Sequence, residues 1–189
     1  LVIVKRLDGG SGEWDMVSQH LGATYHLRFT QDNKATGTWA FNDTLPDSVN
    51  FTVGDNAETN STGGCVAYCF ANKKGYSKVM TWEGNGSTDG TFLYTGFRPA
   101  YFMYKVVSGT TGGWGILDIK SDTFNPADNT LVADTNAAIT DDHDVDFNSN
   151  GLKIRSGGGN INLHGKSYMG IAFAEFPFVS SNSIPTTAR

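Results

Sequence analysis

Apolar and polar residues alternate along this chain with a period of two, and no stretch sustains the 3.6-residue period of an amphipathic helix. Tyr25-His26-Leu27-Arg28-Phe29-Thr30 sets Tyr, Leu and Phe on one face and His, Arg and Thr on the other. Val49-Asn50-Phe51-Thr52-Val53, Leu152-Lys153-Ile154-Arg155 and Ile161-Asn162-Leu163-His164 repeat the pattern. Three further runs, at 66–71, 100–107 and 168–174, are largely apolar and read as strands buried on both faces. Turn dipeptides separate them, at Asn85-Gly86, Asp89-Gly90 and Asn150-Gly151. The chain is therefore expected to be all-β, a β-sandwich or barrel, with more than about 40% strand and no helix beyond two turns.

The chain also parallels itself. Val2-Ile3-Val4-Lys5 matches Phe102-Met103-Tyr104-Lys105 at a displacement of 100, and Trp14 matches Trp114 at the same displacement. Ser48 to Phe51 matches Asp144 to Phe147 at 96, and Tyr68 to Asn72 matches Ile171 to Glu175 at 103. The landmarks keep one order, which divides the chain into two tandem related units over residues 1–79 and 97–178. A connecting segment then spans 80–96, and a polar tail or linker spans 179–189. Phe70, Ala71, Phe173 and Ala174 are expected in the core, as are Trp14 and Trp114. Leu1-Val2-Ile3-Val4 reads as the middle of a strand, so the first unit is expected to be truncated at its N-terminus, with an open apolar edge there.

A net charge of −5, with lysine and arginine scattered, excludes the basic stripe that a nucleic-acid partner requires. No apolar run reaches the ~18 residues of a membrane-spanning helix. Twelve Phe, seven Tyr and four Trp speak against disorder. Cys65 and Cys69 lie on one strand about 13 Å apart at ~3.3 Å per residue. That is too far to bridge, so they are read as small buried apolar residues.

Catalytic chemistry needs a nucleophile, a base and a stabiliser in one place. Glu13-Trp14-Asp15 has two carboxylates on one strand face, but Val17 stands where a third would complete a glycosidase-like set. The chain is read as non-enzymatic. The densest acidic run supplies Asp141, Asp142, Asp144 and Asp146 as candidate oxygen ligands for a hard cation such as Ca²⁺, without the spacing of an EF-hand. No cofactor is otherwise expected. His26 and His164 fall on polar strand faces and are read as surface residues. Trp39, Trp82, Tyr94 and Tyr101 are the candidates for stacking on a sugar ring, because an aromatic face offers apolar area beside a polar rim.

At Tyr68-Cys69-Phe70-Ala71, Gly75-Tyr76-Ser77-Lys78, Gly84-Asn85-Gly86-Ser87 and Thr95-Gly96-Phe97-Arg98-Pro99-Ala100, the chain resembles a repeated domain of unassigned function. That domain occurs in tail-fibre, tail-associated and other virion structural proteins of tailed phages, mainly marine ones. The opening Leu1 to Lys5 and the closing Ile171 to Glu175 fit it too. The first unit departs from it by lacking a Gly-Phe-Arg-Pro-type lead-in strand and by carrying Asn72 where the second has Glu175. The resemblance implies a concanavalin-like or jelly-roll sandwich on the phage particle surface, assembled in the host cytoplasm. It implies other virion proteins as partners, a homo-oligomer (most simply a trimer), and attachment to a host-surface glycan. The alternative is a capsid or tail decoration that touches virion proteins alone. A soluble lectin or β-sandwich glycosidase is the more distant reading.

Overall fold

The computed structural model describes residues 1–9, 12–31, 34–108 and 112–177; the tail expected over 179–189 lies outside them. The protein is all-β, with 42% strand and 5% helix in two antiparallel sheets. It divides into two units after Phe70.

The first unit contains β1 (Val2–Arg6), β2 (Trp14–Val17), β3 (Tyr25–Arg28), β4 (Ala35–Thr36), the single-turn helix α1 (Thr38–Phe41) and β5 (Cys65–Cys69). Its sheet has the order β4-β3-β2-β1-β5. Strand β1 is interior, with Val2 opposite Val17 on one side and Cys69 on the other. The open edge expected at Leu1–Val4 is thus absent, because β5 returns antiparallel along it. The edge falls instead on β5, whose Ala67, Tyr68 and Cys69 are exposed rather than buried. Val2 and Val4 pack with Val17 under Ala40 and Phe41 of α1. Asn42, left-handed at φ 49°, ends that helix by donating its N–H to Thr38. Residues 49–53 form a loop, not a strand, and Val49 is exposed. Asp47 Oδ1 accepts the N–H groups of Val49 and Asn50, a local bond set that competes with pairing.

The second unit contains β6 (Ser77–Glu83), β7 (Phe92–Tyr94), β8 (Pro99–Ser108), β9 (Gly115–Asp118), β10 (Ala127–Val132), β11 (Thr140–Asn148), β12 (Gly151–Ile154), α2 (Gly159–Asn162) and β13 (Ser167–Ala174). The sheet order is β6-β13-β8-β9-β10-β11-β12-β7. Residues expected to connect the units, with the last three residues expected in the first, therefore supply both edge strands of the second. Those edges meet through side chains: Lys78 Nζ donates to Tyr94 O at 2.7 Å, and Thr91 Oγ1 donates to Glu83 O at 3.3 Å. The core follows the two-residue period, with Phe102, Tyr104 and Val106 of β8 facing Val145 and Phe147 of β11 and Leu152 and Ile154 of β12. At ~25 cal/mol per Å² of buried apolar surface, these side chains dominate the stability of the unit.

Two core expectations need correction. Phe70, Phe173 and Ala174 are half-buried and Ala71 is exposed; the buried residues of the closing strand are Tyr168 to Ala172. The strand is buried on both faces as far as Ala172, and Phe173 and Ala174 fall at its end, where the pairing with β8 slips. Trp114 is buried, whereas Trp14 is half-buried and stacks on Tyr68 at 6.0 Å.

Candidate functional site

The four aromatic candidates are not brought together. Trp82 is interior: it stacks on Tyr168 at 5.3 Å and donates its indole N–H to Ile161 O at 2.9 Å. It is a core residue, placed there because β6 alternates Met80 and Trp82 inward. Trp39 is half-buried in the first unit, with the Arg28 guanidinium 4.6 Å over its ring and His26 edge-on at 4.8 Å. Tyr101 is half-buried beside Phe173. Tyr94 alone among the four is exposed, at 59%. It shares the outer face of β7 with Phe92, while Leu93 between them is buried. The Lys78 ammonium stands 5.2 Å from the Tyr94 ring. Phe92 lies against Gly151, where a Cβ would meet its ring. The outcome is a small edge platform of two rings and one cation.

The acidic residues divide. Asp141 and Asp144 of β11 converge with Asp128 of β10, their carboxylate oxygens all within 4.8 Å of one another. Asp128 escaped sequence reasoning because it reaches the group through a register slip between β10 and β11, between Ala127 and Asn129. The carboxylate of Asp122 accepts the Asp128 and Asn129 N–H groups at 3.1 and 2.8 Å, which holds the irregular turn in place. Loss of solvation, then the charges of Asp141, Asp122 and Asp144, raise the Asp128 carboxyl above its ordinary range. These three oxygens have the hardness that Ca²⁺ prefers. The other two candidates are spoken for: Asp146 binds Arg155 Nε at 2.6 Å, and Asp142 stands 3.3 Å from His143 Nδ1. His143 also meets the buried Tyr104 hydroxyl, at 2.7 Å.

Sequence reasoning missed a buried polar group in the first unit. Asp15 and Arg28 are cross-strand partners on β2 and β3, with Arg28 Nε 3.0 Å from Asp15 Oδ1. Arg28 also binds Glu58, and His26 Nε2 lies 3.7 Å from Asp15 Oδ1. His26 was expected at the surface but is buried, because its face of β3 lies against Trp39 and Phe41. Burial pushes the Asp15 carboxyl up to about 6 against the pull of Arg28. Burial, assisted by Arg28, brings His26 down to about 4. Asp15 faces the interior, so the Glu13-Trp14-Asp15 motif does not present paired carboxylates to a polysaccharide. A cross-strand Asp–Arg pair leaves no local sequence signal; the pairing register creates it.

All-β with two antiparallel sheets is the class that the fold defines. The chain belongs to the family described as Domain of unknown function (DUF7483), whose model matches residues 1–177 and so spans both units. No curated protein and no solved structure matches it.

Proposed function

We propose that this chain is a non-enzymatic module of a tailed-phage virion, built from two copies of one β unit, that attaches to host-surface glycan. The observation that carries the attachment is the platform on β7. Tyr94 and Phe92 offer ring faces to solvent, and Lys78 sets a cation beside them to meet sugar hydroxyls. A single platform of this size binds weakly, and several copies on one particle multiply that affinity through effective concentration.

Support for the two copies comes from register. Val4 pairs with Asp15 and Tyr104 with Gly115, both partners displaced by 100 (104 − 4 and 115 − 15). Val2 pairs with Cys69 and Phe102 with Ala172, displaced by 100 and 103 (102 − 2 and 172 − 69). The orders β5-β1-β2-β3-β4 and β13-β8-β9-β10-β11 then run in parallel. Lys5 and Lys105 each donate to a carbonyl seven residues on, Gly12 and Gly112, and lie 5.9 and 5.6 Å over Trp14 and Trp114. One landmark does not hold: Ser48 to Phe51 is loop where Asp144 to Phe147 is strand, and β4 takes the fourth position instead.

The test is binding of the purified chain to host cells and to their isolated surface polysaccharide. Tyr94→Ala should lower affinity by about tenfold, the scale of one good aromatic contact, with the melting temperature unchanged. Equal binding by wild type and Tyr94→Ala, or none by either, overturns the reading.

A further inference from the structure

The outer side of β5 has backbone groups that no strand among the described residues pairs with. Leu1 and Phe70 exchange both of their hydrogen bonds, at 3.0 and 2.8 Å, and Leu7 N–H reaches Gly64 O at 3.0 Å. Bonded and non-bonded pairs alternate along an antiparallel ladder. The bonds between β1 and β5 therefore fall at Ile3–Tyr68 and Lys5–Val66. Cys65, Ala67 and Cys69 turn their N–H and C=O groups away from β1, and no strand among the described residues pairs with them.

In the second unit the corresponding strand, β13, is not an edge. Strand β6 covers it through seven consecutive pairs, from Ser167↔Glu83 to Phe173↔Ser77. Small residues of β13 lie opposite large ones of β6, Gly170 facing Met80, and both enter the core. The outer side of β6 is in turn capped by side chains, with Asn72 Oδ1 accepting the Val79 N–H at 2.7 Å and Thr91 donating to Glu83 O. The first unit has the small residues but not their cover: Ala67 and Cys69 are exposed where Gly170 and Ala172 are buried. Natural sheets seldom leave such an edge bare.

We propose that the outer edge of β5 is an acceptor for one additional antiparallel strand. Its occupant is a segment with the chemistry of β6: seven extended residues that place large apolar side chains, as Met80 and Trp82 do, over Ala67 and Cys65. The inference rests on reading the two units as copies. It adds main-chain pairing as the mode of recognition and side-chain size as the selector.

A tethered strand tests it. The sequence of β6 is joined ahead of Leu1 of the full chain through a Gly/Ser linker of 15 residues, the length that separates β6 from β8 (positions 84 to 98). Amide exchange is then read at Cys65, Ala67 and Cys69. These amides should exchange rapidly in the untethered chain and slow by about tenfold or more in the fusion. Ala67→Pro in the fusion should abolish that protection while leaving protection at Tyr68 and Val66, because the Ala67 N–H takes no part in pairing with β1. If the proline disturbs β1, Met→Asp at the tethered position equivalent to Met80 should remove the protection instead. The acceptor is overturned by an unprotected fusion, by an untethered chain already protected there, or by a dimer whose β5 edges pair and ignore the tether. Duplication is judged separately, by superposing the two units in an experimental structure. Superposable units with an unprotected fusion would remove the acceptor alone.

Discussion

Tyr104 closes over Gly115, its cross-strand partner: the ring occupies the space that a Cβ on Gly115 would need. In the first unit Val4 faces Asp15, whose carboxylate meets Arg28 Nε at 3.0 Å. Gly115→Ala should therefore cost about 1–3 kcal/mol by overpacking. Urea unfolding measures it. Gly158→Ala, where the added Cβ meets nothing within 4 Å, is the matched control and should change little.

Asp15 and His26 oppose each other as pH changes. Asp15 titrates near 6 when folded and near 3.8 when unfolded, so between those values the folded state holds the extra proton. Its contribution to stability grows as pH falls through 6 and is lost as pH rises. His26 titrates near 4 when folded and near 6.5 when unfolded, so there the unfolded state holds the extra proton, and its contribution is lost as pH falls. Across pH 4 to 6 the two slopes cancel. His26→Gln should gain stability relative to wild type on acidification, and Asp15→Asn should lose it. Parallel pH profiles for all three proteins would contradict this.

Asp128 sits among like charges. Asp128→Asn should raise the melting temperature in the absence of divalent cations. Millimolar Ca²⁺ should raise that of the wild type, and raise the variant's less. Calorimetry with chelator and with Ca²⁺ separates the two effects.

Trp82→Ala should cost about 3–5 kcal/mol, the range for removing a buried aromatic residue. Phe173→Ala should cost clearly less, because Phe173 is half-buried on β13. Equal losses would mean that Phe173 is packed as deeply as Trp82.

What the sequence disclosed was set by period and by local signals. A run of apolar residues located β8. Alternation located β12 with its inward Leu152 and Ile154, since a strand buried on one face writes its side-chain order into the chain. It misled at His26, because β3 is covered on both faces and polarity there no longer marks the outside. It misled at 49–53, where the Asp47 side chain captures the backbone. The cross-strand groups Asp15–Arg28 and Asp128–Asp141–Asp144 depend on register and on a slip in it, neither of which is local. The two cysteines read as small buried residues because they stand too far apart on one strand to bridge; Cys69 is exposed, and no strand among the described residues covers that side of β5.

The junction of β6 and β7 is made by Lys78 and Thr91 rather than by a backbone ladder. Every other neighbouring pair in that sheet is joined by a main-chain ladder, whereas these two strands are joined by the two side-chain bonds and by the core that Met80 and Trp82 share with Leu93. The second unit is thus a band with a clasp. The ring of Tyr94 lies beside that clasp, so a ligand that draws Lys78 away from Tyr94 opens one of its two side-chain bonds while β7 stays paired to β12.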